Sequence, residues 1–79
     1  MNIRNLITVD KDILGGQPVF TGTRVPVESL FDHLEAGVSL DLFLEDFPGV
    51  TRQQAVDLLE AANKILTSKN IEQLYAAVA

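Results

Sequence analysis

The run Gly15-Gly16-Gln17-Pro18-Val19-Phe20-Thr21-Gly22-Thr23-Arg24-Val25-Pro26-Val27 constrains this chain most. Three glycines and two prolines within thirteen residues argue against a helix and against a regular central strand. Yet Val19, Phe20, Val25 and Val27 are apolar, which a solvated linker does not need. The run reads as an ordered loop with apolar anchors, set directly before a helix. Ordering it costs conformational entropy, so it has either a packing or a binding role. Phe20 is the expected buried anchor.

Periodicity divides the rest. Residues 6–10 alternate weakly and are rich in β-branched side chains, which predicts a short strand. Asp10-Lys11-Asp12 reads as a turn, and residues 23–27 as a second extended piece. Val27, Leu30, Phe31 and Leu34 then follow the i, i+3, i+4, i+7 spacing of an amphipathic helix, ending at Gly37. Ser39 is placed to cap a second helix carrying Leu40, Phe43, Leu44 and Phe47, and Pro48-Gly49 ends it. Thr51 and Gln54 form a capping box for a third helix, with Val50 and Ala55 in the staple positions. That helix extends to about Leu66. Its apolar stripe is wide: Val56, Leu59 and Leu66 on one side, Leu58, Ala62 and Ile65 on the next. Asn70 can cap a last helical piece with Ile71, Leu74, Tyr75 and Val78 on one face.

The expected fold is therefore mainly α, a three-helix helix-turn-helix-like bundle in a single domain over residues 1–79. Residues 1–26 form a β-containing arm with the glycine-rich motif, 27–66 the three-helix core, and 67–79 a C-terminal helical extension. A chain this short makes a marginal monomer. The surplus apolar surface and the unpaired edges of two strand-like arms predict a homodimer.

Composition narrows the function. There are no cysteines and His33 is the only histidine, so no metal or other cofactor is expected. No apolar run is long enough to span a membrane, and residues 1–5 lack the apolar core of a signal peptide. The expected location is cytoplasmic. The net charge of −5 is the wrong sign for holding DNA by charge alone and suits a basic protein partner.

Extended back through Ile7-Thr8-Val9-Asp10 and Ile13-Leu14, the glycine-rich run resembles the signature of a small prokaryotic family, domain of unknown function four-three-three. The residues carrying it are Gly15, Gly16, Pro18, Phe20, Gly22, Thr23 and Arg24, and the resemblance spans about Ile7 to Ala62. Many members of that family are regarded as antitoxins of toxin–antitoxin pairs. Their partners resemble PIN-like ribonucleases. The resemblance implies a non-enzymatic regulator that binds such a toxin and operator DNA as an autorepressor. The alternative is a helix-turn-helix-like interaction module with no DNA role.

Several residues are candidates for these roles. In a helix-turn-helix the third helix reads DNA. Thr51, Arg52, Gln53 and Gln54 open it, and Arg and Gln suit guanine and adenine edges. Asp57 and Glu60 on the same face oppose phosphate, and plain packing of three helices is the alternative. Arg24 has three readings: it pairs with Glu28 or Asp32, contacts a phosphate, or meets an acidic partner. The internal pair is the expected one. Asp41 and Glu45 on the second helix are candidates for a basic partner, with Asp46, Asp32 and Glu35 adding charge. Ile71, Leu74, Tyr75 and Val78 either dock on the core, dimerise or insert into a partner. Catalysis has little to stand on. The run lacks phosphate-loop spacing. His33 falls outside the apolar stripe, is expected to be exposed, and has no nucleophile at hand.

Overall fold

The structure, a computed structural model, describes residues 2–78, with side chains through Ala76. It is a small, mainly helical domain on a two-stranded N-terminal hairpin. In chain order the elements are α1 (Ile3–Leu6), β1 (Ile7–Thr8), a 3-10 turn (Leu14–Gly16), β2 (Val19–Phe20), α2 (Val27–Glu35), α3 (Leu40–Asp46), α4 (Arg52–Leu66) and α5 (Ile71–Val78).

The N-terminal arm departs from the sequence reading in three ways. The expected strand over residues 6–10 is only Ile7–Thr8. Leu6 instead closes a helical turn that begins when Asn2 Oδ1 accepts the Arg4 N–H at 2.9 Å. The second strand lies inside the glycine-rich run. Val19 and Phe20 pair antiparallel with Thr8 and Ile7. Residues 23–27 fold back on that strand: Phe20 N–H donates to Val25 O at 3.0 Å, and Val19 bridges Pro26. The strand-like pieces thus pair with one another within the chain, and β2 has a neighbour on each side.

Gly22 makes that fold-back. Thr23 N–H donates to Phe20 O at 3.0 Å, closing a β-turn with Gly22 third at φ +82°. A type II turn needs positive φ there, which glycine adopts without cost. The 3-10 turn holds three consecutive positive-φ residues, Leu14, Gly15 and Gly16. Pro18 O then accepts the Val27 N–H at 3.0 Å and satisfies a donor at the start of α2.

The helices follow their spacing. At the end of α2, Val38 N–H donates to His33 O (2.9 Å) and Gly37 N–H to Leu34 O (3.0 Å), a Schellman cap. Ser39 Oγ accepts from Leu42 N–H at 3.2 Å and starts α3. Thr51 and Gln54 form the full capping box of α4. The core joins arm and helices: Leu6, Phe20, Leu30, Phe43, Val50, Ala55, Leu58 and Ala61. Phe20, Leu30 and Phe43 are wholly buried, and the Phe20 and Phe43 rings lie 6.4 Å apart. The buried stripe of α4 is Ala55, Leu58 and Ala61. Val56, Ile65 and Leu66, read from the sequence as part of its apolar stripe, lie on the surface.

Candidate functional site

The glycine-rich motif is built into the scaffold of the α3–α4 turn. Thr23 carries most of the connection. Its Oγ1 donates to Phe20 O at 2.8 Å and accepts from Val25 N–H at 3.0 Å, so one hydroxyl locks the Gly22 turn. Its methyl faces Gly49 in the link between α3 and α4. Thr21 Oγ1 shares a 3.0 Å hydrogen bond with Thr8 Oγ1, tying the turn to β1. Gln54 completes the brace: Nε2 donates to Thr21 O at 2.9 Å and Oε1 accepts from Thr51 N–H at 2.9 Å. One side chain therefore caps α4 and fastens it to the motif.

This placement bears on the residues expected to read DNA. Thr51 Oγ1 accepts the Gln54 N–H at 3.0 Å and Gln54 bonds inward, so both serve the cap and the brace. Gln53 Nε2 donates to Asp57 Oδ1 at 2.8 Å. Arg52 pairs with Asp41 of α3, which brings a proposed DNA contact and a proposed partner contact together. Only Arg52 and Gln53 present exposed side chains at the start of α4, and each is engaged by an acid.

Arg24 is a correction. Its expected ion pair with Glu28 or Asp32 does not form. Arg52 with Asp41 is the one ion pair among the described residues. Glu28 instead accepts from Gln17 Nε2 at 3.3 Å, because Gln17 reaches it from the 3-10 turn. Arg24 projects from the hairpin turn into solvent.

His33 is a second correction. It is half-buried, edge-on to Phe43 and Phe47 with ring centroids 5.2 and 5.4 Å away. Its Nδ1 lies 2.6 Å from Ser29 O. A carbonyl only accepts, so Nδ1 carries the proton. The signal for this cluster is the Phe43 and Phe47 pair four residues apart, on α3 and at its C-cap, which offers a slot to a flat ring from α2.

Acidic groups dominate the neighbouring surface. Residues 27–46, covering α2 and α3, hold six acids and no lysine or arginine. Asp32, Glu35, Asp41, Glu45 and Asp46 are all exposed. The two helices pack on each other, so the charge is gathered on one part of the fold. On α5, Ile71 and Leu74 are half-buried and Tyr75 is exposed. The side chain of Val78 lies outside the described residues. Among the described residues no three acids, histidines or cysteines come together as metal ligands. No described helix is long and apolar enough to cross a membrane.

These features define a small helical module whose N-terminal hairpin braces the turn between its second and third core helices. The chain belongs to the family described as protein of unknown function DUF433, which it matches over residues 7–61. It is 41% identical over 51 residues to the uncharacterized protein y4eO of Sinorhizobium fredii, a match covering 65% of this chain and 23% of that one. The chain thus spans about a quarter of that relative's length. Its fold is that of a DUF433 member from Anabaena variabilis, with a TM-score of 0.66 at 23% identity, covering 94% of this chain and 71% of the other.

Proposed function

We propose that this chain is a non-enzymatic protein-interaction module of antitoxin type, whose partner is a basic protein of the ribonuclease class. The observation that supports it is the charge of α2 and α3: six acids without a lysine or arginine, of which only Asp41 has an ion-pair partner among the described residues. A ribonuclease holds RNA with a positive groove, and such a groove is complementary to this surface. Complementary charge steers encounter more than it deepens affinity. The engagement of Thr51, Arg52, Gln53 and Gln54 within the chain favours a protein partner over DNA. A helix that reads bases needs free donors at its start, and the face beyond them carries Asp57 and Glu60.

Operator binding is the second reading, favoured by a third helix that opens after a tight turn with Arg52 and Gln53 exposed. It requires Arg52 to exchange Asp41 for phosphate or guanine. The test is co-expression with the product of the adjacent reading frame, alongside titration of the purified chain with duplex from its own upstream region. A stable complex with the protein and no saturable duplex binding is the expected result. Saturable, salt-sensitive duplex binding that Arg52→Ala abolishes would establish the DNA reading instead. Failure to associate with any basic partner removes the first.

A further inference from the structure

The chain exposes more surface than a compact monomer of its mass. Its accessible area is 5570 Å². The usual scaling gives about 4,700 Å² for a compact monomer of 8.6 kDa. Its radius of gyration is 13.3 Å, against about 12 Å for 79 residues. The excess, roughly 900 Å², matches the ~800 Å² that each partner contributes to a stable interface.

The surplus has an address. No α5 side chain belongs to the core or packs against it among the described residues. The α5 helix follows α4 after a connection over residues 67–70. Between the two runs a groove of about 310 Å³ lined by Lys64, Ile65, Ser68, Asn70, Gln73 and Leu74. Leu66 and Tyr75, 63% and 59% exposed, stand on the same two helices. We propose that this α4–α5 face docks on the same face of a second copy, across a two-fold axis.

Charge selects the occupant. Residues 63–78 carry Lys64 and Lys69 against Glu72, while the rest of the chain holds ten acids and four bases. Two copies of an acidic chain repel each other over most approaches. On this patch they meet with both signs present, and a two-fold contact gives the Glu72 of each copy lysines of the other to answer it. A basic protein has no such preference for this patch; its attraction is to α2 and α3. The apolar centre comes from Ile65, Leu66, Leu74 and Tyr75, and helices packing ridges into grooves supply the geometry.

The experiment is sedimentation equilibrium of the full chain at micromolar concentration, with cysteine cross-linking. The parent should sediment at twice 8.6 kDa. Leu66→Glu and Tyr75→Glu, at side chains already on the surface, should sediment as single chains with unchanged helical circular dichroism. The chain has no cysteine, so Leu66→Cys or Tyr75→Cys should give one disulfide-linked dimer under mild oxidation. Val9→Cys, also exposed but on the N-terminal arm, should not. The cross-linking arm stands even where a charged variant fails to fold. A monomeric parent overturns the proposal. So does cross-linking that is faster through Val9→Cys than through Leu66→Cys or Tyr75→Cys.

Discussion

Gln54→Ala tests most sharply whether the opening of α4 serves the scaffold. The substitution removes two hydrogen bonds of 2.9 Å, one accepted from Thr51 N–H and one donated to Thr21 O. Each is worth about 0.5–1.5 kcal/mol net, the higher figure where a carbonyl is left partly buried and unpaired. Alanine returns a few tenths of a kcal/mol through its better helix propensity. The net cost is about 1–2.5 kcal/mol. A domain of this size holds only about 4–12 kcal/mol in total, and each kcal/mol moves its midpoint by about 4–8 °C. Thermal unfolding followed by circular dichroism should therefore fall by about 5–20 °C. Gln53→Ala, one residue away and bonded only to Asp57 through an exposed hydrogen bond, should move it little. Gln54→Glu separates the two roles: a carboxylate still accepts from Thr51 but faces Thr21 O without a donor. It should fall between the parent and Gln54→Ala. Equal midpoints for Gln53→Ala and Gln54→Ala would refute the brace.

Other expectations follow from the same geometry. Phe20→Ala empties a wholly buried site against Phe43 and should cost about 3–5 kcal/mol in urea unfolding; a loss below about 1 kcal/mol would mean the ring does not anchor the run. Gly22→Ala places a Cβ at φ +82° with open space around it, so the cost is conformational alone, about 1–2 kcal/mol. Arg52→Ala breaks an ion pair whose side chains are 60% and 76% exposed and should change stability by less than about 1 kcal/mol.

The helices were legible because their signals are local. Capping residues and i, i+4 spacing placed α2, α3 and α4, including the Thr51–Gln54 box, without tertiary information. The arm was less legible. Val19-Phe20 becomes a strand only because Ile7-Thr8 lies beside it and Gly22 turns Val25 back onto it, and neither pairing is written in a window of five residues. His33 was misplaced for a related reason: its burial depends on a slot made by Phe43 and Phe47 of another helix. Arg24 stands close to Glu28 in sequence but projects from the turn, whereas Gln17, farther away in sequence, reaches Glu28 in space. The exposure of Val56, Ile65 and Leu66 shows the limit of an apolar stripe as evidence: it marks a face to be covered, and the cover need not come from the same chain.

Under the proposed function, the acids of α2 and α3 guide a basic protein to this module. The most direct measurement is the association rate with the basic product of the adjacent reading frame, at low and at physiological ionic strength. Glu45→Lys with Asp46→Lys reverses two exposed acids that, among the described residues, form no ion pair, leaving Asp41 to Arg52. The parent should associate fast and slow steeply with added salt. The double variant should associate at least about tenfold more slowly at low salt, with a flatter salt dependence. Equal rates for parent and variant at low salt would contradict the claim and leave these acids as a solvated surface.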